Sequence, residues 1–426
     1  MLQQINSIGD TLNSVLFGNA VVFTLLITGV VFTVWSVFGQ YRAITHGVGV
    51  VRGKYDHKDD PGAINHFQAL SAALSATVGL GNIGGVAVAI AIGGPGAVFW
   101  MWVVGLLGMA LKMTEVTQSM LYRNIDKPDE PHGGPMFAIY RGVQDLQQRV
   151  TWFPMAAGLT FAGFIMLFAL ASGNTYVIIG AAVLSAVVAV LGFVNGRLMG
   201  GTIGGFFCLT LILSAITGGN MFQAWNVAAA TTQYLPPGWN RNTAAMIIGV
   251  ILAVVVGLVI LGGIKRIGKV AGFLVPFMCG LYLLFGVIVL FMNIGVVPEM
   301  LVSIFRGGLG LGGYEPENAF LGGSLGMAFI WGVKRALFSS EAGQGSAPIA
   351  HSAAKCDEPV REGVVAGLEP LIDTIIVCTI TALVILSTGA FNRESDTVYP
   401  DMAEVTLMID ESGDAPVATL TTPPLS

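Results

Sequence analysis

Apolar residues in this chain do not alternate with polar ones; they run almost unbroken for about twenty positions at a time, with short polar stretches between. A helix rising about 1.5 Å per residue needs a run of that length to cross a hydrocarbon core of about 30 Å. The pattern predicts spanning helices at about 17–38, 65–92, 97–121, 153–171, 176–194, 203–229, 243–263, 269–292, 319–338 and 364–387. The connecting loops are too short for a second folded domain, so any function lies among the helices.

Basic residues test this count, because cytoplasmic loops are enriched in Lys and Arg. With the N-terminus outside, Arg42, Arg52, Lys54, Lys58, Arg123, Lys127, Arg141, Arg149, Arg197, Lys265, Arg266, Lys269, Lys334, Arg335, Lys355 and Arg361 fall inside. Only Arg241, Arg306 and Arg393 fall outside, and Lys112 lies within a span. A miscounted odd helix in the middle would scramble that asymmetry. The tail from about 388, with Asp396, Asp401, Glu404, Asp410, Glu411 and Asp414, is then predicted outside, and its end, Val417 to Ser426, reads as unstructured.

Composition agrees with lipid as the solvent: 54% of residues are hydrophobic and 11% charged, and mean hydropathy is +0.75. Soluble domains carry about 25% charged residues. The net charge of −5 comes from loops and tail, and no basic patch with interleaved aromatics suggests nucleic acid. The four cysteines form no CxxC or metal-like spacing. The first sixteen residues lack a basic n-region, so the first apolar run reads as a retained helix. Neither a Ser-His-Asp or Cys-His set nor a phosphate-cradling GxxxxGK[ST] occurs, which argues against an enzyme, an ATP-driven pump or an organic cofactor.

Chemistry is concentrated in four places. In the second helix, Thr77-Val78-Gly79-Leu80-Gly81-Asn82-Ile83-Gly84-Gly85 sets four glycines within seven residues. Each interior Gly costs roughly 0.5–1 kcal/mol relative to Ala, so the helix is expected to unwind here. Unwound backbone survives in lipid only when buried or lining a cavity, where N–H groups attract a carboxylate and carbonyls a sodium ion. Close packing by small residues is the other account.

In the sixth helix, Asn220 and Gln223 are about one turn apart and are expected to share a face. The ninth helix and its exit, Phe329 to Pro348, are unusually polar and glycine-rich; an ordinary loop with Glu341 paired to Lys334 and Arg335 explains the charges alone. Asp373, two turns into the last helix, needs a partner, since a central carboxylate costs about 2.5–3.5 kcal/mol. Arg335 is the expected partner, with cation coupling or gating as the alternative. Lys112 and Glu115 read as a local snorkelling pair, and His66 and His351 as plain loop residues.

The blocks Gly93-Gly94-Pro95-Gly96-Ala97-Val98-Phe99-Trp100-Met101-Trp102, Gly133-Gly134-Pro135-Met136, Gly262-Gly263-Ile264-Lys265-Arg266-Ile267 and Gly343 to Pro348 resemble those of the alanine or glycine:cation symporters. The resemblance runs from about 60 to 390. It implies an all-α integral membrane protein with a LeuT-type bundle of two inverted five-helix repeats, broken at the first (65–92) and sixth (319–338) core helices. Residues 1–60 are then an extra helix and a basic loop, 61–293 the first repeat with an inserted hairpin at 153–194, 319–387 the first two helices of the second repeat, and 388–426 a polar tail. The last three core helices of the family would be absent.

By the same resemblance Gly79, Leu80 and Gly81 receive the amino acid carboxylate. Thr77, Asn220, Gln223, Phe329, Trp331 and Gly332 line the substrate site, with the last three near the break of the sixth core helix. Thr77, Val78 and Asn82 contact the cation, while Arg335, Glu341 and Asp373 serve gating or coupling. The implied function is sodium-coupled uptake of a small neutral amino acid, alanine or glycine, across the cell membrane. The family usually has Thr at Leu80 and Asn at Ser340, so preference can differ. A sensor or channel-like protein on the same scaffold, or a non-functional fragment, are the alternatives that the sequence leaves open.

Overall fold

The computed structural model describes residues 19–171, 175–194, 196–236, 239–311, 321–392, 406–410 and 417–421. The chain falls into two units, Met1–Thr388 and Gly389–Ser426. Of the tail's acidic residues only Asp410 lies among the described residues.

The first unit is helical: α1 (Asn19–Trp35), α2 (Gly39–Val51), α3 (His66–Thr77), α4 (Leu80–Gly93), α5 (Gly96–Tyr122), α6 (Pro135–Arg149), α7 (Phe153–Ala171), α8 (Thr175–Val194), α9 (Gly196–Thr232), α10 (Arg241–Ile260), α11 (Gly263–Met292), α12 (Val297–Leu309), α13 (Leu321–Ser340), α14 (Ala347–His351) and α15 (Pro359–Ser387). Every predicted span lands on one of these or on a bent pair. Among the described residues α5, α9, α10, α11 and α15 are long and apolar enough to cross a membrane, seven spans if the bent pairs α1–α2 and α3–α4 each count as one.

α5 is the axis of the unit, packed on α1, α6, α12, α13 and α15. Of its most apolar window 67% is buried, against 6% for α10 and 11% for α11. The long apolar faces of those two helices, with Val250, Val254, Phe273 and Phe277 exposed, match a lipid surface. Gly105 and Gly108 let α15 and the exit of α13 approach α5 closely: a Cβ on Gly108 would sit 3.3 Å from the Ala342 side chain.

The hydropathy pattern missed several features, among them the helices α6 and α14 in expected loops. Residues 39–51, expected as loop, form α2, turned 69° from α1 at Val37 and Phe38, both with positive φ. α12 is too short to span and sits in an expected loop, with Glu299 in its first turn and Arg306 in its last, each matching the helix dipole. α9 and α15 each contain a π turn, Ala215–Met221 and Leu371–Val377.

In the second unit β1 (Thr406–Asp410) pairs antiparallel with β2 (Val417–Thr421), Thr406 opposite Thr421. This corrects the expectation that the segment from Val417 is unstructured. Both strands are rich in β-branched residues, which a pleated strand accommodates.

Candidate functional site

α3 starts at a capping box in which Asn65 accepts from the Gln68 N–H at 2.8 Å, and it stops at Thr77. Val78 (φ −83°, ψ 107°) and Gly79 (φ −173°, ψ −147°) are extended, and α4 resumes at Leu80 with a 43° bend. The predicted break is therefore present, but narrower than expected. Gly81 and Gly85 stay helical and admit Arg335, whose guanidinium lies 2.7 Å from where a Gly81 Cβ would stand. The interruption leaves carbonyls at the end of α3 and N–H groups at the start of α4 without partners in their own helices, at the positive end of the α4 dipole.

Asn82 fixes this geometry. Its Oδ1 accepts from the Gly79 N–H at 2.9 Å, and its Nδ2 donates to Asp373 and faces Ser339 Oγ at 3.1 Å. Ser339 and Thr374 hydroxyls each donate to Asp373 Oδ2 at 2.9 Å, and Asn82, Ser339, Asp373 and Thr374 are all buried. Asp373 is thus satisfied by neutral donors. The expected ion pair with Arg335 does not form: Arg335 Nε and Nη2 have no hydrogen-bond partner, and the guanidinium stacks 5.0 Å from the Phe338 ring. Packing against glycines, which carry no side chain to intervene, holds the arginine along α4 and away from Asp373.

α13 is not broken near Phe329, Trp331 and Gly332, which corrects the expectation for the sixth core helix. It runs through to Ser340, and the interruption comes at Glu341 (φ 49°), Gly343 (φ 81°) and Gly345 (φ 80°), where the left-handed backbone ends the helix. Phe329 packs instead on Phe23 and Trp100, with ring centroids 5.9 and 4.8 Å away, Trp331 lies under Lys334 Nζ, and Gly332 gives room to α5 at Ala97 and Trp100. Glu341 accepts from Ser346 Oγ rather than pairing with Lys334 or Arg335. A small cavity of about 60 Å³ lies between the two interruptions, lined by Thr77, Lys112, Glu341, Ser346 and the alanines 72, 73, 76, 347 and 350.

Gln223 reaches the break: its Oε1 lies 3.9 Å from the position of a Gly79 Cβ. Asn220 does not share its environment. Its π turn leaves it exposed, with Nδ2 donating to the Ala215 carbonyl at 3.0 Å.

Sequence reading missed a chain of buried ionisable groups. Asp56 Oδ1 lies 3.5 Å from His66 Nε2; His66 Nδ1 bonds Glu362 Oε2; Glu362 Oε1 is 2.5 Å from His351 Nδ1; and His351 Nε2 is 2.6 Å from Glu369 Oε1. Glu369 Oε2 then faces Lys112 Nζ at 3.1 Å, and Glu115 lies 3.9 Å beyond. His66, His351 and Lys112 are at most 1% exposed, so the two histidines are not loop residues and the lysine does not snorkel. Burial disfavours the charged form of His351, but its bonds to Glu362 and Glu369 outweigh this and raise its pKa to about 9. A readable trace existed: Glu362, Glu369 and Asp373 are spaced by seven and four, one stripe of a helix.

Comparison with known sequences settles the kinship. The sequence profile of the sodium:alanine symporter family matches residues 2–195 and 192–413. The chain belongs to the sodium:alanine symporter family. Among its relatives, the sodium/alanine symporter AgcS of Methanococcus maripaludis is 36% identical over 90% of this chain and 71% of its own length. Two Bacillus subtilis proteins, the putative sodium/proton-dependent alanine carrier protein YrbD and the amino-acid carrier protein AlsT, are 32% and 30% identical over 90% and 85% of this chain, and 65% and 63% of theirs. The symporter family's Gly93–Trp102 block forms the turn from α4 to α5, where Gly94 has φ 67° and a Cβ on Gly307 would stand 2.9 Å from the Gly96 nitrogen.

Proposed function

We propose that this member of the sodium:alanine symporter family is a secondary active transporter that carries a small neutral amino acid, alanine or glycine, into the cell together with sodium. The single observation that carries the reading is the interrupted α3–α4 helix, whose break, at the buried Val78 and the half-buried Gly79, is held by the buried Asn82 amide. In this reading the first N–H groups of α4, at Leu80 and Gly81, hold the carboxylate of the amino acid, and the carbonyl ends of α3 with Thr77, Val78 and Asn82 hold sodium. Gln223 is the third contact at the break. Each ion and each zwitterion charge then meets a backbone dipole that the fold has already oriented.

The resemblance to LeuT-type transporters supplies the cycle. Amino acid and sodium enter from outside, the bundle rocks about α3–α4 and α13, and both leave to the cytoplasm; no covalent step occurs. Asp373, Arg335 and Glu341 sit on the elements that would move, and their role is gating or coupling. The names of AgcS, YrbD and AlsT support amino acid carriage; the alanine-walled cavity favours a small side chain.

The test is uptake of radiolabelled alanine by proteoliposomes containing the complete protein. Uptake should require an inward sodium gradient and vanish in potassium or choline. Equal uptake in all three salts would reject sodium coupling, and saturable binding without uptake would favour an amino acid sensor.

A further inference from the structure

The ionisable chain has one aqueous end and one end at the cavity. Asp56 has a side chain 46% exposed, whereas His66, Glu362, His351, Glu369 and Lys112 are at most 1% exposed. Three hydrogen bonds, His66 to Glu362, Glu362 to His351 and His351 to Glu369, form the middle of the chain, and its ends, Asp56 to His66 Nε2 at 3.5 Å and Glu369 Oε2 to Lys112 Nζ at 3.1 Å, are ion-pair contacts without hydrogen-bond geometry, so acid and base alternate from the surface to the ammonium. A packing role would be met by one ion pair, and a buried ion pair by itself adds little stability.

We propose that Asp56, His66, Glu362, His351, Glu369 and Lys112 form a proton relay, through which the protein expels one proton to the water at Asp56 when a cationic ligand, the coupling sodium or the ammonium of the amino acid, enters beside Lys112. The inference rests on the transport reading above and adds to it a proton released in exchange for the bound charge.

The electrostatic logic starts at the cavity. Lys112 Nζ is fully buried, faces Glu369 and Glu115, and shares the cavity with Glu341. A second positive charge brought into that space meets the ammonium at low dielectric, where like charges repel strongly. Loss of the Lys112 proton removes the repulsion and leaves a neutral amine whose lone pair can face the newcomer.

The proton can move along these contacts. Lys112 gives its proton to Glu369 Oε2, where it stays; His351, holding protons on both nitrogens, passes the one on Nδ1 to Glu362 Oε1 and keeps the one on Nε2, which faces Glu369. The Glu362 carboxyl group turns to present that proton to His66 Nδ1, and His66 releases the one on Nε2 to Asp56 and so to water. Only N–H and O–H bonds form and break, one proton leaves Nζ and one reaches solution. The charged groups facing His351 are Glu362 and Glu369 on α15; His66 on α3 and Lys112 on α5 lie one contact further along.

The test uses the complete protein in lipid nanodiscs, weakly buffered, with a pH indicator dye followed by stopped flow. Addition of sodium chloride with alanine should release up to one proton per chain, and choline chloride none. His351→Gln, which keeps hydrogen bonding but cannot carry a proton between carboxylates, should slow release at least tenfold. Asp56→Asn, at the exposed end where folding is not at stake, should slow it severalfold. Thermal stabilisation by sodium and alanine is read on the same samples. Wild type that releases no proton, or release at the wild-type rate in both variants, overturns the relay. If the ligands stabilise the protein while no proton appears, the relay alone falls; if they neither stabilise nor release, the transport reading falls with it.

Discussion

The side chain of Asn82 accepts a hydrogen bond from the backbone N–H of Gly79 at 2.9 Å, so the residue one turn into α4 caps the interruption that precedes it. Its nitrogen is spent on the α13–α15 side, on Ser339 and Asp373. One amide therefore sets both the conformation of the break and its position against two other helices. Asn82→Ala should leave a half-buried N–H and a buried carboxylate each short of a partner, a loss of about 1–3 kcal/mol for each unmet group. Sodium-dependent alanine uptake should fall at least tenfold with it. Asn82→Asp restores the acceptor but sets a second carboxylate against Asp373, so it should not rescue. Melting temperature and uptake, read together in the three proteins, check both statements.

The glycines of α4 answer a different question from the one their pattern poses. A close series of glycines predicts an unwound stretch, and the chain does unwind beside it, yet Gly81 and Gly85 are helical because Arg335 occupies the space their side chains would take. Gly85→Ala should accordingly cost stability in the wild type and much less in an Arg335→Ala background. The coupling between the two sites is expected at roughly 0.5–3 kcal/mol, the range for residues in contact. A double-mutant cycle by denaturant or thermal melts gives it; additive effects would mean that the guanidinium is not what Gly85 accommodates.

His351 makes stability depend on pH in a calculable direction. Its pKa stands at about 9 in the folded chain against 6.5 for an ordinary histidine, because the bonds from Glu362 and Glu369 outweigh burial. A raised folded pKa means that the folded form binds the proton more tightly, so the contribution is fully present below about pH 6.5. It declines above that and is lost as pH passes about 9. The melting temperature of wild type should fall across that window, and His351→Gln should show a flatter profile there. A parallel decline in both would assign the pH dependence to other groups.

Helix positions were legible in the sequence because a span must be long and apolar, and ten such runs are hard to miss. The break was legible too, from glycine density. What escaped was whatever depends on partners distant in the chain. His66 and Glu362, or Lys112 and Glu369, are neighbours only after α3, α5 and α15 have packed, and a histidine near the end of an apolar run looks the same whether it faces water or a buried acid. The sixth core helix was placed correctly, but the break that the resemblance put near Phe329, Trp331 and Gly332 was not. Gly332 serves contact with α5, whereas Gly343 and Gly345, with positive φ, are among the residues that end the helix.

Cys356 offers a chemical check on how tightly the segment after α14 is closed. Burial, with the nearby Glu362 charge, pushes its thiol up to about 12, and the side chain is fully buried. The thiolate is the reactive form, so maleimide at neutral pH should leave Cys356 untouched for as long as this segment stays shut. Mass spectrometry after brief labelling reads it directly. Labelling that appears only with sodium and alanine present would mark this segment as one that opens during the cycle.

Arg123 is what shuts it. Standing just past the end of α5, its guanidinium donates from Nη1 to the carbonyls of Ser352 and Ala354 at 2.8 Å, and from Nη2 to Pro61 at 3.0 Å and to Cys356. The same carbonyl-rich strip pairs Ile64 with Ala354 in a parallel bridge. Four acceptors from two chain segments converge on one planar cation, a geometry that an ammonium with three tetrahedral donors cannot reproduce. Arg123→Lys keeps the charge but leaves at least one buried carbonyl unmet, and hydrogen bonds to a charged group contribute about 1.5–3 kcal/mol each. Hydrogen exchange should therefore quicken across residues 61–65 and 352–356 while α10 and α11 keep their protection. Uniform loosening of the whole chain would instead mean that Arg123 supports global folding and not the closure of this one face.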